Sequence, residues 1–225
     1  AKNELSIARD IQTSLMPKEI PPNDKYDISC YSETAYEVGG DYYDIIKDSS
    51  SENTFVIIGD ISGKGMAATI HMIQVHSILN QVSVAAKSPK EILISLNNSL
   101  GRIFNKGTFF TSTILKLNGT DKINLSRAGH MPVLFYSSDK KCCDKIIPKG
   151  IGIGLSNNGM FDNTLEQLEL KCKTGDIILL YTDGVTEAAN KYNQEFGEIN
   201  LEKLVLSNAG KSAKEIQETI IWSIN

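Results

Sequence analysis

Apolar residues recur every three or four positions over residues 4–16, at Leu5, Ala8, Ile11 and Leu15, which is the spacing of an amphipathic helix, and Pro17 stops it. Strand-like stretches follow at 26–31, 41–47 and 55–59. The last two flank the Ser- and Asp-rich turn 48–53 and so read as a hairpin. The period then turns helical, with Ala68, Met72, Val75, Leu79 and Val82 on one face and Leu93, Leu96, Leu100 and Ile103 on another. Ser88 and Glu91 form a capping box for the second helix, with Pro89 at its first position, where a missing N–H costs nothing. Strands return at 110–117, 122–126, 132–136 and 177–181 between Gly-rich turns. A last helix starts at Ser212, where Ser212 and Glu215 repeat the capping box and Ile216 and Ile220 supply an apolar face. Strands, two helices, many strands and then helices predict an α+β architecture with mainly antiparallel sheets, not the strict alternation that builds parallel ones.

With 225 residues, 41% of them hydrophobic, the chain can bury the core of one large domain. Its net charge of -4 argues against nucleic acid or an anionic membrane as the main partner. Cys30, Cys142, Cys143 and Cys172 show no paired CxxC spacing and read as reduced bystanders. No apolar run approaches the ~20 residues of a membrane helix, and no signal peptide opens the chain, so a cytoplasmic domain is expected. The abrupt helical start is what a piece of a longer, even membrane-anchored, parent would show. Residues 1–17 are then a connector to an upstream sensor module and 18–225 the domain body.

The chemistry concentrates in three acidic motifs. Residues 55–65, FVIIGDISGKG, are an apolar strand that ends on Asp60 and runs through glycines into a helix. As a P-loop the segment fails, because 59–63 is one residue short of GxxxxGK and Gly65 stands where Ser or Thr should hold magnesium. Gly63, Gly65 and Ala68 satisfy GxGxxA, but the acid a dinucleotide fold needs about 20 residues later is missing from the helix interior there. Taken alone, Asp60 reads as a helix N-cap as readily as a metal ligand. Two further motifs favour the ligand. Gly39-Gly40-Asp41-Tyr42-Tyr43-Asp44 starts a strand with Asp41 after a flexible glycine pair and puts Asp44 on the opposite face. Residues 177–184, IILLYTDG, carry Asp183 at a strand end before a turn, where a plain Asp-Gly turn is the simpler alternative. Together, three aspartates at strand edges beside glycines form a hard-oxygen set suited to magnesium or manganese. His130, between Gly129 and Met131, reads as structural, and His71 and His76, five residues apart, do not share a helix face as i, i+4 ligands would. Lys64 is a candidate phosphate contact or a solvated lysine, and Glu187 a candidate aid through water.

Five segments in order, VGGDYYD (38–44), GDISGKG (59–65), AGHMPVL (128–134), GIGIGL (150–155) and YTDGVTEA (181–188), resemble the RsbU/SpoIIE branch of the PPM (type 2C) protein phosphatases. ARDIQTSLMP (8–17) resembles the helical linker that ties such domains to sensory modules, so the likeness spans nearly the whole chain. The resemblance implies an α/β/β/α sandwich and two divalent cations, Mn2+ or Mg2+. In that arrangement Asp60 bridges both cations, Asp41 and the Ile61 carbonyl bind one, and Asp183 binds the other. It further implies hydrolysis of phosphoserine or phosphothreonine by a metal-activated water without a phosphoenzyme. The implied substrate is a phosphoprotein, a small phosphorylated anti-sigma-factor antagonist. Control is expected from a sensor domain in the same chain through helix 1–17, with homodimerisation through that helix. The family carries one more metal-binding aspartate on a final strand after the last helix, and Asn225 comes before any such strand, so a weak second metal site is expected. The alternatives are a catalytically weak PPM-fold module that regulates a partner by binding it, or a nucleotide-binding protein built on residues 63–68.

Overall fold

The computed structural model describes residues 2–33, 38–48, 51–157 and 159–224, with side chains from residue 5 onward. Along the chain the elements run α1 (Lys2–Leu15), β1 (Asp41–Lys47), β2 (Thr54–Ile61), α2 (Met66–Ala85), α3 (Pro89–Leu100), β3 (Phe110–Leu117), β4 (Lys122–Ala128) and β5 (Val133–Ser137). They continue with β6 (Cys142–Ile146), α4 (Met160–Thr164), β7 (Gln167–Lys171), β8 (Ile177–Leu179), α5 (Asp183–Thr186), α6 (Gly197–Ser207) and α7 (Ala213–Ile224). Two compact units form, one from residues 1–21, 32–130 and 148–170, the other from 22–31, 131–147 and 171–225.

The first unit holds a five-stranded sheet in the order β1-β2-β3-β4-β7, with β1 to β4 antiparallel. Strand alternation divides β2 cleanly: Phe55, Ile57 and Ile61 are buried on one face, while Val56, Ile58 and Asp60 share the other. The first face meets Met72, Val75 and Leu79 of α2 and Ile92, Leu93, Leu96 and Leu100 of α3 in one core. Most of the stabilisation comes from that burial, since a fully buried Leu or Ile contributes about 1.5–3 kcal/mol. The Ser88 cap of α3 forms as expected, with Ser88 Oγ accepting from Glu91 N–H at 3.2 Å and Pro89 in the first turn, while the Glu91 carboxylate accepts from Lys87 N–H at 2.8 Å, one residue before the cap. Asn97 of α3 stitches a loop to the helix, its Oδ1 accepting from Gly154 N–H and its Nδ2 donating to the Ser156 carbonyl.

The second unit is a three-stranded antiparallel sheet, β6-β5-β8, whose core joins Leu134, Tyr136 and Tyr181 to Leu201, Val205, Ile216 and Ile220 of α6 and α7. Here the capping box is reciprocal: Ser212 N–H donates to Glu215 Oε2 at 2.9 Å, and Glu215 N–H donates to Ser212 Oγ at 3.2 Å. Two mainly antiparallel sheets with their helices bear out the α+β expectation.

The elements differ from the expectation in several places. Residues 26–31 form no strand. They run as irregular chain held by side chains, with the Asp27 carboxylate accepting from Ala213 N–H at 2.7 Å and the Ser29 hydroxyl donating to Gln217. Helix α3 stops at Leu100, so Ile103 lies beyond it, because the chain turns at Gly101. Strand β8 ends at Leu179 rather than 181. Strands β6 and β7 and helices α4, α5 and α6 are not among the expected elements, although Leu201, Leu204 and Val205 of α6 lie at helical spacing. Residues 49 and 50 of the expected turn lie outside the described residues.

Candidate metal centre

Asp41 is the first residue of β1 and Asp60 the penultimate residue of β2, and the register of the antiparallel pair sets them directly opposite each other. Residues opposed in this way point to the same face with Cβ atoms about 4.5–5.5 Å apart, and two like charges so placed repel. Gly40 explains how a third oxygen joins them. Its carbonyl accepts from Ile61 N–H at 3.0 Å. A methyl group at residue 40 would lie 2.4 Å from Asp60 Oδ1 and 2.4 Å from the Ile61 carbonyl oxygen. Both oxygens therefore converge on one small space that only glycine leaves open. Two carboxylates and a carbonyl at one sheet edge suit a hard divalent cation, which would also relieve the repulsion. The chain holds this edge from behind as well, since Gln12 of α1 grips Gly39 with its amide, donating to the carbonyl at 2.6 Å and accepting from the N–H at 3.2 Å.

The N-cap reading of Asp60 is overturned: the residue lies within β2, and the cap position of α2 is Gly65, five residues later, with no side-chain cap. Gly63 and Gly65 have φ of 106° and 69°, values that favour glycine, and they turn the chain from strand to helix. Lys64 between them is exposed. On the next strand Thr111 stands opposite Asp60, and its hydroxyl lies 2.9 Å from His130 Nδ1. His130 is buried, and its carbonyl accepts from Arg127 Nη1 at 2.6 Å, a structural setting in keeping with its sequence reading.

Asp44 faces away from this edge, as its spacing from Asp41 predicts, and is buried. Desolvation lifts its carboxyl above the ordinary range, while the Tyr42 hydroxyl at 2.8 Å, the Ile45 N–H at 2.8 Å and nearby His76 pull the other way. His76 Nδ1 lies 3.0 Å from the Tyr42 hydroxyl, so this histidine of α2 ties the helix to β1. Sequence spacing on α2 alone could not find that role, because its partners sit on a strand about 30 residues earlier.

Asp183 belongs to the second unit. It is exposed at the first position of the four-residue helix α5, with Thr182 as the cap, and its carbonyl accepts from Glu187 N–H at 2.8 Å. Glu187 is exposed too. Among the described residues no group of three or more His, Cys, Asp or Glu side chains gathers as a metal cluster, and no helix is long and apolar enough to cross a membrane.

Comparison with known proteins places the sequence pattern of the Stage II sporulation protein E (SpoIIE) family on residues 50–225. The phosphoserine phosphatase RsbU of Bacillus subtilis is 28% identical over 99% of this chain, and Protein IcfG of Synechocystis is 25% identical over 91%. The chain spans 65% of the first relative and 36% of the second. In three dimensions the SiaA-PP2C domain of Pseudomonas aeruginosa superposes with a TM-score of 0.76, covering 99% of this chain and 88% of that domain at 16% identity.

Proposed function

The chain belongs to the SpoIIE family, in the RsbU-like branch of the PPM phosphatases, and on that premise we propose that it is a metal-dependent protein serine/threonine phosphatase of bacterial signalling. The observation that carries the reading is the register opposing Asp41 to Asp60, with the Ile61 carbonyl converging on the same space beside Gly40. Asp41, Asp60 and the Ile61 carbonyl would hold one Mn2+ or Mg2+, and Asp60 with Asp183 are the residues that would hold a second.

Bound cations of this kind acidify a water and neutralise phosphoryl oxygens during in-line displacement. The chain's own residues supply the rest. Asp41 and Asp60 would provide the negative charge that holds divalent cations, and the β1-β2 ladder sets both residues on one face. Gly40 keeps the liganding space open, and Gln12 immobilises the backbone that leads into Asp41. The proposed substrate is a phosphorylated anti-sigma-factor antagonist. Residues 1–17 are the proposed linker from a sensor module, with homodimerisation through α1 as the proposed route of control.

The second reading, a weakly catalytic module that regulates a partner by binding, draws on the absence of a three-side-chain cluster among the described residues. One experiment separates the two: manganese-dependent hydrolysis of a small phosphate ester by this chain, by Asp60→Asn and by Asp183→Asn. Metal-dependent turnover lost in both variants supports the phosphatase, and a parent that neither turns over nor binds manganese supports the module.

A further inference from the structure

The loop that follows Asp60 is clamped to the segment that precedes β3. Ser62 N–H donates to the Phe109 carbonyl and Phe109 N–H donates to Ser62 Oγ, both at 2.9 Å. Residues 101–109 are thereby fixed beside the proposed metal ligands, and Lys106, three residues from the clamp, lies within about 10 Å of it by chain length alone. The segment is anchored at two other points. The Phe104 ring meets His71 of α2 edge-on with centroids 5.0 Å apart, and the Gly101 carbonyl accepts from Asn157 Nδ2 at 3.2 Å. Leu155 joins the same neighbourhood, because a methyl at Gly152 would touch Leu155 at 3.1 Å and Phe109 at 3.6 Å.

The charge of this surface runs against that of the chain. Lys64, Arg102 and Lys106 are all exposed. Over residues 61–118 the one acidic residue is Glu91. Its carboxylate accepts from Lys87 N–H at the far end of α3, about 13 Å of helix from Leu100, where the helix ends before Arg102. That separation exceeds the ~8 Å over which charges act at physiological salt. A chain of net charge -4 therefore presents a locally basic rim beside its two opposed aspartates. The rim also carries apolar groups, Ile103 at 43% and Leu155 at 57% exposure.

We infer that Lys64, Arg102 and Lys106, with Ile103 and Leu155 beside them, form the docking surface for the substrate protein, and that the surface selects a phosphoserine flanked by acidic residues. The inference rests on the phosphatase reading above. Its physical content is a division of labour: the aspartate pair handles the phosphoryl group, the basic rim steers and orients the acidic flanks, and the apolar side chains give the contact a desolvated anchor.

The test uses two labelled peptides of equal length in which a non-hydrolysable phosphonate replaces phosphoserine, one with acidic flanks and one with lysine flanks. Fluorescence anisotropy with manganese present compares the wild-type chain, Arg102→Glu/Lys106→Glu, and the charge-conserving Arg102→Lys/Lys106→Arg. The wild type is expected to bind the acidic peptide about tenfold more tightly, with the preference falling as salt rises. The charge-reversed variant should lose or invert the preference and the charge-conserving one should keep it, so the result stands even if reversal impairs folding. Equal binding of both peptides by the wild type overturns the inference, as does an unchanged preference after charge reversal in a variant that melts like the wild type. Binding of a charge-matched oligonucleotide as tight as that of the acidic peptide also overturns it. A wild type that keeps the peptide preference but hydrolyses no phosphate ester counts against the phosphatase reading alone and supports the docking surface.

Discussion

The two units position their candidate carboxylates by different means. In the first unit, seven- and eight-residue strands in fixed register place Asp41 opposite Asp60, and the strands rest on a core that includes Tyr42, Phe55, Leu93 and Leu96. In the second, Asp183 follows a three-residue strand and sits exposed on a four-residue helix, over a smaller core. A backbone ladder sets the Cβ atoms of two opposed residues on one face about 4.5–5.5 Å apart, whereas Asp183 on its single turn is exposed to solvent. The same register sets two carboxylates opposite each other, an arrangement that a bound divalent cation would stabilise.

The largest expected effect breaks this symmetry of roles. Asp60→Asn should lower metal-dependent ester hydrolysis on the order of 10²- to 10³-fold, as loss of several kcal/mol of cation-mediated stabilisation requires. The same change should raise the metal-free melting temperature, because it removes a like-charge pair worth roughly 0.2–1 kcal/mol. Asp183→Asn should reduce activity with metal-free stability unchanged within about 0.5 kcal/mol, as for other exposed positions. Calorimetry on both variants with and without manganese decides whether repulsion is confined to the first unit.

Next in size, Leu96→Ala in the fully buried core of the first unit should cost about 2–5 kcal/mol in denaturant unfolding, and Ile216→Ala in the slightly more open second core less. Equal losses would show that the two cores contribute alike. Gly40→Ala should follow, at about 1–3 kcal/mol, because its methyl would overlap Asp60 Oδ1 and the Ile61 carbonyl. It should also weaken manganese binding, read by titration calorimetry. A stable Gly40→Ala chain with unaltered manganese affinity would remove the case for this liganding space.

The smallest effect concerns pH. Burial raises the Asp44 carboxyl above the ordinary range. A carboxyl raised in the folded state stabilises the fold while protonated; that contribution is complete below the unfolded value near 4 and is lost as pH rises through the folded value. Asp44→Asn stays neutral, so its melting temperature relative to the wild type should climb as pH is taken from about 4 to 7. A gap that shrinks over that range would mean that Tyr42 and His76 favour the ionised carboxylate more than burial opposes it.

The amino-acid sequence by itself determined the elements whose signals are local. The periodic faces of α2 and α3, both capping boxes, the extent of β3 and the β1-β2 hairpin follow from side-chain spacing and cap chemistry within a few residues. It also marked Asp41, Asp60 and Asp183 as candidates and put Asp44 on the opposite face, since alternation along a strand needs no tertiary information. Only the tertiary structure decided which of these meet. The exact register that opposes Asp41 to Asp60, the close approach of Asp60 and Ile61 to Gly40 and the reach of His76 to Tyr42 are set by pairing and packing in space, which local spacing does not encode. Residues 26–31 taught the same lesson from the other side: apolar alternation there resembled a strand, but the pairing that makes a strand is supplied by neighbours in space, and side-chain contacts to α7 took its place.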